Sequence, residues 1–315
     1  MKPSGLIAAA LMGAVALAAC GGGSPDGDVT TALPVRDGVA ARSHVVVLVM
    51  ENKEEGQVLG TRSARFLNRL ARRGGVAAQS FAVRHPSLPN YVALISGSTQ
   101  GITDDCTECT ADAPSLADQL ERAHRTWGAY LGGLPEPCAR PATAGRYAKK
   151  HDPFAYDDRV AADPSRCRRR VPLTRLATDV RADRLPDFAF IAADLCDETH
   201  DCPVPTGDRF LARIVPGVLA ALGPHGFLVV TYDEGDSDRG CCGGSNGGRI
   251  ATFGAGPDVR RGATMTRPID HYGVLATIEA AFGLRRLGAA RDPRHGGLAP
   301  LFRGGRVRRL APGRR

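Results

Sequence analysis

The chain has 315 residues, 43% of them hydrophobic and only 5% aromatic, which allows one large domain or two small ones with a core built mostly from Ala, Val, Leu and Ile. Its formal net charge is +8; of 41 basic residues four are lysines and 37 are arginines, the arginine excess of a GC-rich coding habit. A basic surface suits anionic partners, but no aromatics interleave with the arginines as in a surface that binds single-stranded nucleic acid, so no nucleic-acid partner is expected.

The chain opens MKPSGLIAAALMGAVALAAC. Lys2 is a short positive region, and Leu6 to Leu17 is an apolar stretch too short to span a bilayer as a stable helix. Leu17-Ala18-Ala19-Cys20, running into a Gly/Ser/Asp-rich segment, resembles a bacterial lipobox. That resemblance implies cleavage before Cys20, lipidation of Cys20, and a mature chain outside the cytoplasm, either anchored to a membrane by lipid or secreted. Residues 1–20 are then leader, 21–42 linker, 43–302 the folded domain, and 303–315 a basic tail expected to be loose. Setting Cys20 aside leaves eight cysteines, which in an exported chain predicts up to four disulfides. Cys106–Cys109, Cys138–Cys167 and Cys196–Cys202 are local candidates. A cysteine zinc site is disfavoured, because no paired CxxC spacing is present.

After the linker, HVVVLVMEN (44–52) is a continuous valine-rich run of the kind that forms a buried parallel strand. Residues 64–74 have helical spacing and a terminal glycine, 75–83 predict a strand, and 90–97 a helix. Residues 115–125 predict a helix capped by Ser115, with Asp118 at its third position. Residues 126–131 predict a strand, and 132–173, rich in Pro, Arg and Cys, an irregular excursion. The pattern resumes with a helix at 173–183, a strand at 187–194, a helix at 207–222 containing Pro216, strands at 226–234 and 249–257, and a helix at 270–284. The alternation predicts a single α/β domain with a mostly parallel central sheet flanked by helices.

In such sheets ligands bind beyond the carboxyl ends of the strands, and the polar residues collect there. Glu51 and Asn52 end the first strand; Asp194, Asp197, His200 and Asp201 follow the strand at 187–194; Asp233 and Glu234 end the strand at 226–234; His271 opens the last helix. Ser87 stands in RHPSLPN between Pro86 and Pro89, at a turn into a helix whose free N–H groups favour an anion. Alone, Ser87 reads as a helix cap, Asp233-Glu234 as a solvated loop and His200 as a surface histidine. Their common placement at the strand ends raises the functional reading. A hydroxyl so presented becomes a nucleophile if a metal held by neighbouring carboxylates lowers its pKa, and Asn90 is placed to donate to a phosphoryl oxygen.

VVVLVMENK, HPSLPNYVALISG, DETHDC, LVVTYDEGDS and DHYGVLATIEAAFGL together resemble the phosphoesterase family of bacterial phospholipases C and acid phosphatases, within the alkaline-phosphatase-like superfamily. The motifs span residues 44–284 in the family's order. This short chain is most similar to the small secreted acid phosphatases, including those acting on phosphatidylinositol 3-phosphate; GRYAKKHDPF (145–154) also resembles that group. The resemblance implies a metal-dependent phosphomonoesterase acting through a phosphoserine on Ser87. It places Glu51, Asn52, Asp197, Asp233 and Glu234 around a divalent ion (zinc, iron, manganese, magnesium or calcium) and Asn90, His200 and His271 in catalysis, with His85 and Lys150 at the edge. Substrates would be phosphomonoesters, including phospholipid head groups. The alternatives are a phospholipase C-type phosphodiesterase and a non-catalytic envelope lipoprotein. Alkaline phosphatase proper has Asp-His where this chain has Asp233-Glu234, a departure from a two-zinc site. The Cys241-Cys242-Gly-Gly insertion is also a departure, read as a surface loop or a stiffened flap.

Overall fold

The computed structural model describes residue 1, residues 32–33 and residues 42–311. The lipobox at Cys20, most of the linker and the last four residues lie outside the described residues. Among the described residues, no helix is long and apolar enough to cross a membrane.

The first strand, β1 (Val45–Met50), is apolar throughout because both its faces are covered. Val45, Val47 and Val49 enter one apolar cluster, while Val46, Leu48 and Met50 enter another on the opposite face. After it come α1 (Glu55–Val58), α2 (Arg65–Arg73), β2 (Gly75–Phe81), α3 (Ser87–Ser96), α4 (Leu116–Arg122) and β3 (Trp127–Leu131). At the start of α4, Asp118 Oδ2 accepts from the Ser115 backbone N–H at 2.9 Å, closing the expected N-terminal cap.

The expected irregular excursion holds a small hairpin of β4 (Thr143–Ala144) and β5 (Tyr147–Ala148), the single-turn helices α5 (Asp158–Ala161) and α6 (Pro164–Cys167), and β6 (Arg170–Pro172). β6 is a finding beyond the sequence pattern: it pairs in parallel with β3 and forms an edge of the main sheet. Its Arg170 is fully buried against Asp152, with Nε 2.8 Å from Oδ2, so a charged residue takes an interior place by pairing. The remaining elements are α7 (Arg175–Arg181), β7 (Phe188–Ala192), α8 (Val204–Ala221), β8 (Phe227–Tyr232), β9 (Arg249–Ala255), β10 (Ala263–Met265), β11 (Ile269–Asp270) and α9 (His271–Phe282). Pro216 lies within α8, which runs through it.

The sheet order is β10-β2-β9-β8-β1-β7-β3-β6, with β11 also pairing to β2. β9 runs antiparallel to β2 and β8; every other pairing in this sheet is parallel. Residues of α3, α4 and α9 pack in the first cluster and those of α2, α7 and α8 in the second, so helices cover both faces. At the centre β8, β1 and β7 lie side by side and parallel, and their carboxyl ends meet at one edge.

All eight described cysteines are paired, as Cys106–Cys109, Cys138–Cys167, Cys196–Cys202 and the adjacent Cys241–Cys242. The tail is not loose as far as it is described. Leu310 is buried, its N–H bonds the Ala281 carbonyl at 2.7 Å, and Arg125 donates to the Ala311 carbonyl at 2.7 Å.

Deep in α9, Glu279 accepts from the Leu287 N–H at 2.7 Å through Oε1, while its Oε2 has no hydrogen-bond partner. Burial pushes this carboxyl up to about 7. The folded form therefore holds a proton that the unfolded chain releases, and stability falls as pH rises from the ordinary glutamate range through 7. Glu279→Gln, neutral throughout, should raise the free energy of unfolding at about pH 8 by on the order of 1 kcal/mol and change it little at about pH 5. Urea denaturation at the two pH values measures both; an equal effect at both would refute a buried charge.

Candidate active site

The turn before α3 is built by Asn90. Its Oδ1 accepts from the Val83 and Arg84 N–H groups at 2.9 and 3.1 Å, and its Nδ2 donates to the Arg84 and Pro86 carbonyls at 2.6 and 3.1 Å. Four bonds to three neighbouring residues fix the chain's entry into the helix. This corrects two expectations. The helix begins at Ser87 rather than Asn90, with Pro89 in the first turn, where its missing N–H leaves no bond unmade. And the Asn90 amide is fully engaged with backbone and buried, so it positions the turn rather than holding a phosphoryl oxygen.

The turn delivers Ser87 to the centre of the sheet edge. Its Oγ lies 3.2 Å from Glu51 Oε2 and 3.3 Å from Glu234 Oε1, with the hydroxyl as donor to either. Glu51 leaves the end of β1, and Asp233 and Glu234 leave the end of β8, so the parallel pairing of these strands sets the spacing. Asn52 adopts a left-handed backbone conformation (φ 56°), which an asparagine tolerates, and its N–H donates to Asp233 Oδ1 at 3.0 Å. Tyr91, one turn along α3, donates its hydroxyl to Glu51 Oε1.

Sequence reasoning placed Asp197 in this group; the structure places Glu198 there instead. The Asp197 carboxylate pairs with Arg213 of α8 at 3.0 Å. Asp194 Oδ1 accepts from the Cys196 and Asp197 N–H groups, and the Cys196–Cys202 bridge closes the same loop. Glu198 is thereby carried inward, its carbonyl accepting from the Glu51 N–H at 2.8 Å and its side chain fully buried. Burial first, and then the charge of Asp233, push both Glu51 and Glu198 well above the usual carboxylate range.

His151 is the second residue that sequence reasoning missed, although its motif GRYAKKHDPF had been singled out. Its Nδ1 is 2.5 Å from Glu198 Oε1 and its Nε2 3.4 Å from Glu51 Oε2. Burial holds it down to about 3, so the imidazole is neutral. Beside it, Lys150 Nζ bonds Asp105 Oδ2 at 2.8 Å and lies 3.3 Å from His200 Nε2. Burial works to lower the Lys150 pKa, but the Asp105 bond and charge outweigh it and raise the group. His200 turns its Nδ1 to Asp201 at 2.7 Å.

On the other flank, His85 Nδ1 is 2.5 Å from Glu234 Oε2 and its Nε2 3.2 Å from the Ser237 carbonyl. Burial and the Asp233 charge push Glu234 up to about 7, against the opposing pull of His85. His271 lies behind Asp233 and donates from Nε2 to the Asp233 carbonyl at 2.6 Å, which leaves its buried Nδ1 as an unpartnered lone pair. Cys241 and Cys242 are half-exposed, with Cys241 Sγ 3.7 Å from the Ile269 carbonyl; their loop is anchored by Ser245, which donates to Asp270 at 2.7 Å.

A divalent cation fits these residues. Asp233 Oδ2 and His271 Nδ1 are buried without a partner, and Glu51, His151 and His200 can each offer a ligand atom within 4.8 Å of the others. Hard carboxylate oxygens with imidazole nitrogens are the donor set of such an ion.

Known proteins resemble this chain in sequence and in fold. The model of the Phosphoesterase family matches residues 57–285. Among curated proteins, the chain is 34% identical over 250 residues to the phosphatidylinositol-3-phosphatase of Mycobacterium tuberculosis, covering 79% of each. It is 29% identical to the phosphate-repressible acid phosphatase of Penicillium chrysogenum, covering 70% of this chain and 55% of that one. Among solved structures, a phosphonate monoester hydrolase from Silicibacter pomeroyi superposes with a TM-score of 0.50 at 13% identity, over 81% of this chain and 77% of that one. A 2-O glycosaminoglycan sulfatase gives 0.53 at 13% identity, over 86% and 76%. These likenesses show a fold shared with those two hydrolases, a mostly parallel central sheet flanked by helices. With the matched family model and the M. tuberculosis relative, they show that the chain belongs to the Phosphoesterase family and is a hydrolase of phosphoric esters.

Proposed function

We propose that the chain is an exported, metal-dependent phosphomonoesterase that works through a phosphoseryl intermediate on Ser87. The observation that carries this reading is the Ser87 hydroxyl, held at the start of α3 between the carboxylates of Glu51 and Glu234. Export and lipid attachment rest on the lipobox-like segment ending at Cys20. The relative that acts on phosphatidylinositol 3-phosphate supports phosphoinositides as substrates beside soluble monoesters.

Glu51, Asp233 and Glu234, with His151 and His271 nitrogens available, would hold the cation. When bound, it supplies charge neutralisation for the phosphoryl oxygens and a lowered pKa for the Ser87 hydroxyl. Ser87 Oγ attacks phosphorus and forms a P–O bond as the bond to the leaving alkoxide breaks. The hydroxyl proton passes to the Glu234 carboxylate, whose Oε1 lies 3.3 Å away. Lys150 and His200 lie side by side, with His200 within 4.8 Å of Glu51, and bind the phosphoryl oxygens. Water then attacks the phosphoserine, restores the Ser87 hydroxyl and releases phosphate.

Ser87→Ala should lower release of inorganic phosphate from an aryl phosphomonoester by roughly a thousandfold or more, with folding intact. Acid quenching of the unaltered enzyme during turnover should trap phosphate on the peptide containing Ser87, detected by mass spectrometry. Comparable turnover by Ser87→Ala would refute the nucleophile. Hydrolysis of aryl diesters in preference to monoesters would replace the monoesterase with a phosphodiesterase.

Asn90→Ala should behave differently. It leaves buried N–H and C=O groups of the turn unsatisfied, so it should cost about 2–4 kcal/mol in urea unfolding. If instead Asn90→Ala keeps full stability and loses only substrate affinity, its assignment to the turn is wrong.

A further inference from the structure

Away from the hydrolytic centre, α9 forms one wall of a second cavity of about 630 Å³. Ala276 and Ala280 of α9 line it with small side chains, and Arg267, Arg286, Arg291 and Arg306, from three separate stretches of chain, stand around it. Its volume lies within the range of small-molecule sites.

The charge on this cavity is answered only in part: buried Glu279 feels Arg286 and Arg291, whereas Arg267 and Arg306 form no salt bridge among the described residues. Asp292 is the single carboxylate among the described lining residues, against four guanidinium groups. Its Oδ2 is already held by Arg294, with Nε at 2.8 Å, and its Oδ1 caps the Arg294 N–H at 2.9 Å. Among the described residues, none of the four lining arginines forms a salt bridge. Arg267 donates to the Pro293 carbonyl at 3.1 Å and Arg291 to the Arg286 carbonyl at 2.9 Å. These bonds orient two guanidinium forks and leave most of their five donors for something else. A guanidinium is always charged, and its fork matches phosphate oxygens two at a time. Four such groups around a hollow, rather than scattered over a convex face, make a recognition surface for a polyanion.

We infer that this cavity is a second anion site, which binds a phosphorylated ligand without hydrolysing it. No hydroxyl nucleophile flanked by carboxylates accompanies it: Thr277, on its wall, donates its hydroxyl to the Gly273 carbonyl at 2.8 Å. The shared chemistry is a pair or cluster of phosphate groups, whether on a free small molecule or on a lipid head group. The inference does not rest on the proposed mechanism at Ser87.

The test uses the Ser87→Ala chain, so that the probe is not consumed, and follows inorganic pyrophosphate binding by calorimetry. Arg267→Gln and Arg306→Gln, both at exposed positions, should each weaken one class of binding about tenfold. Made in the unaltered enzyme, the same substitutions should leave aryl phosphate turnover unchanged, which also reports that the fold is intact. A parallel arm measures sedimentation with vesicles of equimolar phosphatidylcholine and phosphatidic acid. Loss of pyrophosphate binding alone identifies a free phosphorylated ligand, and loss of vesicle binding as well identifies a lipid head group. Pyrophosphate and vesicle binding that both survive Arg267→Gln, Arg306→Gln and Arg291→Gln, in chains that still turn over substrate, overturns the inference.

Discussion

Too many carboxylates in too little water is the constraint on which this site depends. Glu51 and Glu198 are wholly buried and both feel the charge of Asp233, which is itself almost wholly buried. Two like charges about 4 Å apart repel by about 4 kcal/mol even at an effective dielectric near 20. Protons or a cation must relieve that repulsion, and the surroundings supply both kinds of relief. Tyr91 donates to Glu51, Lys150 brings a positive charge from the side, and unpartnered oxygen and nitrogen atoms face inward. A sheet stabilised only by its core would have no reason to carry such a cluster. Its retention at the junction of β1 and β8 is intelligible as a cation-binding device.

The backbone makes the cluster possible. Parallel β1, β7 and β8 end together, so residues distant in sequence arrive at one edge with no long loop between them. Each then needs one local fixture. For Asp233 it is the N–H of Asn52 in a left-handed turn; for Glu198 it is the Asp194 turn with its neighbouring disulfide; for Ser87 it is the amide of Asn90. The site thus combines a global constraint from strand register with inexpensive local ones supplied by backbone and side-chain groups of neighbouring turns.

That division explains what was legible in the sequence. The valine run at 45–50, the apolar strand ending in Asp233-Glu234 and the Pro-flanked Ser87 announce a parallel sheet and its functional edge, because hydrophobic continuity and chain order determine them. The direction of side chains within turns is not encoded so simply. Asp197 and Glu198 are adjacent, and only the Asp194 turn decides that one meets Arg213 and the other faces Glu51. Asn90 reads equally well as a ligand or as a brace until its four backbone partners are seen. His151 lies in the excursion between β3 and β6, where no periodicity indicates that the chain turns back to the sheet edge. β6 was hidden for a related reason: a strand whose first residue is a buried arginine has the composition of a loop.

Acids and bases are interleaved around Ser87, and this bears on the proposed reaction. Carboxylates crowd the ends of β1 and β8, and Lys150 and His200 lie together beside them, with His200 within 4.8 Å of Glu51. A phosphomonoester is itself a dianion and is repelled by these carboxylates unless a cation is present among them. Under the proposed mechanism, Lys150, held by Asp105, would meet the phosphoryl oxygens while phosphorus faces the Ser87 hydroxyl. On this reading the buried acids govern the nucleophile and the half-buried bases beside them govern the substrate, and Ser87 has to lie within reach of both.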